Sequence, residues 1–383
     1  MRRKVTIFGA GLVVKPMVDY LAGHGFEIVV ASRTLSKAEK LAAPHANVKA
    51  LQVLSTDLEK MEELVKASDL CVSLLPATLH VSVARLCLKH RKHMVTTSYI
   101  SPEMRSLDSA AREAGVMILN EIGVDPGIDH MSAMKIFHQV EAEGGKIVSF
   151  MSYCGGLPAP EANTNPLGYK FSWAPRGVLK AAGNGARYML DGKIVEIAGE
   201  DLFRNYWLVD VEGAGTLEAY PNRDSLGYID LYGLQHLKTM YRGTFRNISH
   251  CETWYILSRM GFFQEGEVFQ NLSGTVKDFI LTKMLQAEPG TCLRDLIRQK
   301  FNLPDYSVIL KKFEWLGFFD DTPLPVTEGA AIDVLTTLML ERMSYNPGER
   351  DLIVLHHQFL AEYPGKTTRI TSTIIDYGIP HGD

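Results

Sequence analysis

The first 120 or so residues alternate short apolar runs with amphipathic segments of helical length, and this alternation constrains the fold more than any other feature. The apolar runs are Lys4–Phe8, Glu27–Ala31, Val48–Leu54, Asp69–Leu75, His93–Thr97 and Val116–Leu119. The segments with helical spacing include Lys15–His24, Ser36–Ala42, Asp57–Ala67, Leu79–His90 and Ser101–Ala114. Because each parallel crossover needs a helix-length connection, the pattern predicts a doubly wound, six-stranded parallel sheet.

The pattern changes after Gly123, where strand-like and helical segments no longer alternate. Predicted strands are Ile147–Cys154, Lys193–Ile197, Trp207–Val211, Thr216–Tyr220, Asp351–Ala361 and Thr367–Tyr377. Helical periodicity dominates between about Thr253 and Met343, as in Val276–Leu285, Leu293–Gln299 and Ala331–Met343. Pro364-Gly365 between the last two strands is typical of a hairpin turn. This part of the chain is therefore predicted to be an α+β domain with a helical insertion.

Length, charge and hydropathy limit the number of domains and the kinds of partner expected for this chain. A chain of 383 residues is long for a single core and predicts two or three domains. The formal net charge of −4 gives no electrostatic reason to expect a nucleic acid or an anionic membrane as partner. No apolar run reaches the roughly 18 residues that span a bilayer.

The start of the chain and the spacing of its cysteines suggest where the protein resides. A strand begins almost at Met1, so we expect no signal or transit peptide. The five cysteines are widely spaced, without a CxxC pair or a matching histidine spacing. A disulfide framework and a metal site are therefore not expected, and a cytoplasmic location is predicted.

Gly9-Ala10-Gly11 follows the first strand and opens the first helix, as in dinucleotide-binding folds. Gly9 permits a tight turn, and Gly11 leaves space for the backbone to approach a pyrophosphate. The third glycine of the GxGxxG pattern is replaced by Val14, so the motif is incomplete. The alternative is a tight strand–helix turn without a ligand; the position of the motif favours a Rossmann domain.

The end of the second strand predicts which cofactor is bound. Enzymes that use NAD place an acidic residue there for the ribose 2′-hydroxyl, whereas this sequence has Ser32-Arg33-Thr34 with Lys37 nearby. A guanidinium can bind a 2′-phosphate in a bidentate fork, and a carboxylate would repel it. Arg33 could instead be a solvated loop residue, but NADP(H) is the favoured prediction.

Chemically capable side chains follow the later strands, at the edge where such folds bind ligands. Ser98 and Tyr99 leave the fifth strand, and Asp125 leaves the sixth. Asp125 could also stabilise the N-terminus of the helix predicted from Ile128, and the two roles are compatible. Cys154 ends a predicted strand before a Gly- and Pro-rich stretch; from spacing alone it is more often a small buried residue than a reactive one.

Two arginine-bearing segments in turn-like sequence contexts suggest a substrate rich in carboxylates. They are Tyr220–Ser225, which contains Arg223, and Tyr241–Arg246, which contains Arg242 and Arg246. One such arginine usually marks a solvated turn, but three in a protein that is not cationic indicate binding of anionic groups. Between Cys154 and these segments, Asn165–Trp173 has the aromatic, glycine and proline content of a ligand loop.

Several of these segments resemble the saccharopine dehydrogenases of the glutamate-forming type. The resemblance runs in order from Val5 to about Tyr377, and its motifs are MVTTSYISP, NEIGVDPGIDH, SYCGGLPAPE, NPLGYKFSW, AYPNRDS and RGTFR. GAGLVV and ASRT resemble the NADP site of that family, in which Val14 is normal. The resemblance implies the reaction saccharopine + NADP⁺ + water ⇌ L-glutamate + α-aminoadipate semialdehyde + NADPH. It is compatible with both synthesis and degradation of lysine.

The resemblance also implies roles for individual residues. Substrate contacts would be Ser98, Tyr99, Asp125, Arg223, Thr244, Phe245 and Arg246, with Asp125, Cys154 and Tyr99 near the reacting amine. Together with the strand ends, it assigns the cofactor to Gly9, Ala10, Gly11, Leu12, Val13, Ser32, Arg33, Thr34, Leu75, Thr97, Ser98, Val124, Pro126, Ser172 and Trp173. No metal is predicted.

The predicted organisation is an α/β chain of four segments. Residues 1–122 form the Rossmann domain, 123–250 an α+β substrate and dimerisation domain, 251–345 the helical insertion, and 346–383 a return to the α+β domain. The resemblance implies a homodimer. It also implies a segment after Asp376-Tyr377-Gly378 that packs on the dinucleotide domain, and that segment is expected to be missing here.

Two other functions remain open on the sequence. A related NADP-dependent imine reductase, such as one that forms carboxyspermidine, would need an acidic pocket for a polyamine where this chain carries Arg223, Arg242 and Arg246. A noncatalytic NADP(H) sensor is the alternative from a different class.

Overall fold

The structure, a computed structural model, describes residues 3–264 and 266–380. The chain divides into two compact units, one ending at Ser132 and the other beginning at Ala133. Each unit has its own sheet and its own apolar clusters. The finer division into four segments, with bounds at residues 122, 250 and 345, stays a prediction.

The first unit contains a six-stranded parallel sheet in the order β3-β2-β1-β4-β5-β6. Its strands are β1 Lys4–Phe8, β2 Glu27–Ser32, β3 Val48–Gln52, β4 Leu70–Ser73, β5 His93–Thr96 and β6 Ile118–Leu119. All six predicted strands are present, and the last is the shortest because only two of its residues are paired as strand. The predicted doubly wound sheet is therefore confirmed.

Both faces of this sheet are buried. Successive side chains of a strand point to opposite faces, and β1 shows the consequence: Val5 and Ile7 belong to one apolar cluster and Phe8 to another. The first cluster includes Val14 and Val18 at the start and middle of the first helix, while the second includes Val83 and other residues of helices further along the chain. Burial on both faces explains why the strands are continuous apolar runs.

The helices of the first unit follow the predicted spacing with one exception. They are α1 Lys15–Gly23, α2 Leu35–Ala42, α3 Leu58–Lys66, α4 His80–Lys89, α5 Pro102–Arg105 and α6 Asp108–Ala114, and α7 Ile128–Ala142 begins in this unit. The predicted single helix Ser101–Ala114 is thus two helices. At the break, the Ser106 hydroxyl donates to the Glu103 carbonyl at 2.7 Å, a local bond that competes with helix continuation.

The second unit contains an eight-stranded mixed sheet. The main path is β10-β11-β12-β7-β13-β14, and β8 joins β12 to β9. Its strands are β7 Lys146–Pro158, β8 Ala186–Leu190, β9 Lys193–Ile197, β10 Trp207–Val211, β11 Gly215–Pro221, β12 Thr239–Arg246, β13 Asp351–Tyr363 and β14 Lys366–Tyr377. β13 and β14 form the predicted hairpin, in which Tyr363 pairs with Lys366 across Pro364-Gly365.

Seven helices follow α7 in the described part of the second unit, the last five of them between β12 and β13. They are α8 Pro175–Ala182, α9 Gly227–Leu231, α10 His250–Arg259, α11 Val276–Phe279, α12 Leu293–Lys300, α13 Val308–Trp315 and α14 Ala331–Met343. The predicted helix Val276–Leu285 changes after Phe279 into a π-helical turn, Ile280–Met284. The helices enclose a large apolar cluster that includes Trp254, Phe313 and Leu335.

Candidate functional site

The turn after β1 allows a ligand to approach the backbone closely. Gly9 has φ of +121°, and a Cβ there would lie 2.7 Å from the Leu74 carbonyl oxygen, so a side chain is excluded. Gly11 has no atom within 4 Å of the position of a Cβ, and this space is open. A tight turn followed by open space at a helix N-terminus fits a pyrophosphate.

Val14 takes the place of the third glycine without disturbing the turn. Its side chain is fully buried in the same apolar cluster as Val5 and Val18, and its N–H donates to the Gly11 carbonyl at 3.3 Å. Leu12 and Val13 beside it are 62% and 53% exposed, which is unusual for apolar residues next to a core. They lie where the sequence predicts contact with a cofactor.

Arg33 follows the last residue of β2 and is exposed. The Arg33 carbonyl accepts a hydrogen bond from the Gln52 side chain at 3.0 Å, and this bond holds the backbone in place. The Arg33 side chain is exposed to solvent. In the described chain, Arg33 makes no ion pair with a carboxylate. The residues present therefore fit a 2′-phosphate.

Three consecutive residues after β5 are each held by a different hydrogen bond. The Tyr99 hydroxyl donates to Asp125 Oδ1 at 2.7 Å, and the Ile100 N–H donates to Glu121 Oε1 at 2.9 Å. The Ser98 carbonyl accepts from the Glu121 N–H at 3.2 Å. The two loops that follow β5 and β6 are thus joined, and the Tyr99 hydroxyl lies beside the Asp125 carboxylate; a shared site with Ser98 stays a prediction.

A second carboxylate, that of Asp129, lies in the first turn of α7. Asp129 Oδ1 accepts from the Gly127 N–H at 2.6 Å, and Asp129 is 2% exposed. Asp125 is instead held by the Tyr99 hydroxyl. Both carboxylates therefore lie near the start of α7 in sequence, and the two roles considered for Asp125 stay compatible.

Cys154 lies inside a strand and does not end one, so that part of the prediction is wrong. β7 continues for four residues to Pro158 because β13 pairs with it throughout this stretch, with Leu355 opposite Cys154. On the other side Cys154 is paired with Thr244 of β12. Cys154 is partly exposed, in contrast to the fully buried Cys71.

The segment Tyr241–Arg246 is also a strand and not a turn. It forms most of β12, which is paired with β7 on one side and β11 on the other. Since side chains alternate between faces, Arg242, Thr244 and Arg246 share one face with Cys154. A polar face explains why this central strand lacks an apolar pattern.

Phe245 points to the opposite face of the sheet. Its ring is fully buried and stacks on Tyr153 with centroids 5.0 Å apart. A side-chain contact of Phe245 with a ligand beside Thr244 and Arg246 is therefore excluded by the alternation, and the predicted role is limited to its backbone.

Arg246 is a buried cation without an ion pair among the described residues. It is 6% exposed; its guanidinium lies 4.8 Å from the centre of the Tyr169 ring, and Nη1 donates to the Phe245 carbonyl at 2.8 Å. Glu218, which is opposite Arg246 on β11, has its carboxylate oxygens on the Ser249 and Cys251 N–H groups at 2.6 and 2.7 Å. Within residues 3–264 and 266–380, Arg246 Nε has no hydrogen-bond partner.

The aromatic groups near Arg246 give it no counter-charge. Burial raises the pKa of Tyr169 and of Tyr220, so both hydroxyls stay protonated at neutral pH. A buried charge without a partner is costly. Because Arg246 lies on the polar face with Thr244 and Cys154, its charge suits an anionic group of a ligand.

The remaining residues predicted for the substrate or the cofactor lie in several separate segments of the chain. Arg223 is exposed in the turn after β11, with φ of +56°. Ser172 and Trp173 precede α8 in the second unit, and Trp173 is 40% exposed. Their approach to a cofactor stays a prediction, as do the assignments of Leu75, Thr97, Val124 and Pro126.

The structure also reveals residues that the sequence reasoning missed. His80 bonds to Ser98, and Tyr169 and Tyr220 enclose Arg246. The spacing of Arg242, Thr244 and Arg246 at every second position could have identified a strand with a polar face. A lone histidine at the start of a helix gives no comparable signal.

Comparison with known proteins decides the family. Residues 5–119 match the saccharopine dehydrogenase NADP binding domain, and residues 123–383 match the saccharopine dehydrogenase C-terminal domain. This chain belongs to the saccharopine dehydrogenase family. Its predicted membership and its NADP-binding domain are thereby confirmed.

Full-length relatives agree with this assignment. The chain is 40% identical to the saccharopine dehydrogenase [NADP(+), L-glutamate-forming] of Schizosaccharomyces pombe, over 99% of the chain and 86% of that protein. The solved structure of apo saccharopine dehydrogenase (L-Glu forming) from Saccharomyces cerevisiae aligns with a TM-score of 0.86 at 38% identity, covering 99% of the chain and 86% of that chain. The mitochondrial alpha-aminoadipic semialdehyde synthase of Rattus norvegicus is 34% identical, with 98% of the chain matching 41% of that protein.

The described residues offer neither a metal centre nor a membrane-spanning helix. No group of three or more His, Cys, Asp or Glu residues within 3–264 and 266–380 could hold a metal ion. Over the same residues, no helix is long and apolar enough to cross a membrane.

Proposed function

We propose that this member of the family catalyses the NADP-dependent conversion of saccharopine and water to L-glutamate and α-aminoadipate semialdehyde, and the reverse reaction. The observation that carries the proposal is the 40% identity, over 99% of the chain, to a relative named for this activity. Bound NADP⁺ supplies the hydride acceptor. The chain must then bind three carboxylates and accept a proton from the secondary amine of saccharopine.

Arg246 is the proposed partner of one substrate carboxylate. It is buried, makes no ion pair within the described chain, and shares its face of the sheet with Thr244. Arg223 and Ser98 are proposed for the other anionic groups. These three residues satisfy a tricarboxylate better than a polyamine, which would require acidic partners instead.

Asp125 is the proposed base for the amine proton, either directly or through a water molecule. The amine must lose its proton before its lone pair can assist the departure of the hydride, and a carboxylate is a suitable acceptor. Tyr99 donates to Oδ1 and so fixes the orientation of the carboxylate. Cys154 and Tyr99 are proposed to orient the amine or the water that attacks the imine carbon.

We further propose a homodimer in the cytoplasm. Support for the dimer is the family resemblance. Support for a reducing compartment is that all five cysteines are free thiols.

The function is tested by following NADPH absorbance. We expect saccharopine to reduce NADP⁺ much faster than NAD⁺, and glutamate with the semialdehyde to oxidise NADPH. Turnover only with a diamine in place of glutamate would favour the polyamine enzyme. Tight NADPH binding with no turnover of any of these substrates would favour the sensor.

Arg33→Ala is expected to weaken NADPH binding by about tenfold to a hundredfold, because a hydrogen-bonded charge on the 2′-phosphate is lost. NADH affinity should change little, since NADH lacks that phosphate. Fluorescence titration of both nucleotides measures the two affinities. Arg112→Ala, which removes an exposed arginine paired with Asp108, is the control; equal losses for NADPH and NADH in Arg33→Ala would contradict the assignment.

A further inference from the structure

A buried histidine connects Ser98 to the ends of two neighbouring strands. His80 is the first residue of α4 and is 3% exposed. Its Nδ1 lies 2.8 Å from the Ser73 hydroxyl oxygen, and its Nε2 lies 2.8 Å from that of Ser98. Nε2 also lies 3.3 Å from the hydroxyl oxygen of Thr96. Since Ser73 ends β4 and Thr96 ends β5, the ring joins Ser98 to both strand ends.

The geometry around Nε2 favours a proton on that nitrogen. An unprotonated ring nitrogen has one lone pair and accepts one good hydrogen bond, whereas an N–H can be shared between two acceptors. Two hydroxyl oxygens, those of Ser98 and Thr96, face Nε2. Nδ1 then accepts from the Ser73 hydroxyl, which can rotate to donate.

The ring is neutral at physiological pH. Desolvation by burial lowers the pKa of His80 to about 4. Its hydrogen-bond partners Ser73, Thr96 and Ser98 are uncharged hydroxyls, so none of them supplies a counter-charge to an imidazolium. A neutral ring has a single N–H, and the nitrogen that carries it decides the direction of every hydrogen bond in the group.

This direction determines what Ser98 can do. If Nε2–H donates to the Ser98 oxygen, the Ser98 O–H remains available to donate to another group. If Nε2 instead accepts, the Ser98 proton is used by the ring, and Ser98 offers a ligand only an acceptor. An anionic ligand oxygen needs the first arrangement.

We infer that His80 is a positioning residue, which in its Nε2–H form holds the Ser98 hydroxyl as a donor toward an anionic oxygen of a bound ligand. The anion is a carboxylate of the substrate or a phosphate of the cofactor. The inference rests on the proposed function, in which Ser98 touches the ligand. His80 thus acts from a buried position, through Ser98, without touching the substrate.

The tautomer is measured by ¹⁵N NMR of the full chain with labelled histidine, with the His80 signals assigned by their loss in His80→Asn. We expect the chemical shifts of Nε2 and Nδ1 to be those of a protonated and an unprotonated nitrogen, respectively. Protonation at Nδ1 would overturn the inference. Because this measurement needs no turnover, it decides the inference even if saccharopine proves not to be the substrate.

Paired substitutions test whether His80 acts through Ser98. The amide nitrogen of glutamine can take the place of Nε2, whereas asparagine reaches only the position of Nδ1. We expect His80→Asn to raise the KM for saccharopine, or the Kd for NADPH, by about tenfold, and Ser98→Ala to raise the same constant by a similar factor. His80→Gln should recover most of that loss, and kcat should change less than the affected constant.

The affected constant identifies the anion: KM for saccharopine indicates a substrate carboxylate, and Kd for NADPH indicates a phosphate. In the Ser98→Ala background, His80→Asn should have no further effect on that constant. Losses that multiply in the double variant, or a His80→Gln as impaired as His80→Asn, would overturn the inference. His90→Asn, which removes a histidine bonded to Glu62 just beyond the other end of α4, is the matched control and should leave both constants unchanged.

Discussion

Arg246→Met should lower kcat/KM for saccharopine by at least about thirtyfold and, at the same time, make the unliganded protein more stable. The loss follows because a charge-assisted contact with a substrate carboxylate disappears; removing one member of such a buried pair typically costs about 2–5 kcal/mol. Arg246 is 6% exposed and has no ion pair within the described chain, so without ligand its charge is poorly compensated.

The expected gain in stability of Arg246→Met also comes from the poorly compensated charge of Arg246. Burial of an unpaired charge opposes folding, and methionine of similar length fills the space beside Tyr169 without that penalty. The Phe245 carbonyl loses its bond from Nη1, which reduces the gain. We expect a net increase of about 1–3 kcal/mol in the free energy of unfolding, measured by denaturant titration without ligands.

Arg259→Met is the control for Arg246→Met. Arg259 at the end of α10 is 41% exposed and pairs with Glu200 at 3.0 Å. Exposed pairs contribute little, so stability should stay within about 1 kcal/mol and activity should not change. A destabilised Arg246→Met with normal KM for saccharopine would show that Arg246 is structural.

The parallel sheet was predictable because its signal is local. Each strand of the first unit is a short apolar run, and each crossover carries helical spacing, so periodicity alone locates both. The turn at Gly9 and Gly11 was predictable for a similar reason: its conformation requires glycine whatever surrounds it. The contact between Tyr99 and Asp125 then follows from parallel strands that end at one edge.

The second unit was harder to predict, because its central strand carries the polar groups of the proposed site. Arg242, Gly243 and Thr244 read as a turn in sequence, but hydrogen bonds to β7 and β11 hold them extended. Those partners are distant in the chain, so no local pattern reveals them. Cys154 was misplaced for the same reason, since pairing with β13 extends β7 beyond it.

Asp125→Asn should reduce kcat for saccharopine oxidation by about 10²–10⁴-fold, the usual contribution of a general base. Asparagine has nearly the shape of aspartate. Its carbonyl oxygen can still accept a hydrogen bond from the Tyr99 hydroxyl, which donates to Asp125 Oδ1 at 2.7 Å. The substitution therefore removes the capacity to take up a proton while it preserves the connection between the two loops. KM for saccharopine should change much less than kcat.

The comparison of kcat with KM separates two roles for this carboxylate. If Asp125 accepts the amine proton, kcat falls in Asp125→Asn, whereas Tyr99→Phe, which only frees the orientation of the carboxylate, has a smaller effect. If kcat is nearly unchanged in both Asp125→Asn and Cys154→Ser and only KM rises, the residues position the substrate and solvent takes the proton. Asp108→Asn, at an exposed pair with Arg112, should leave both constants at the wild-type values, because the Asp108 side chain is 64% exposed at the start of α6.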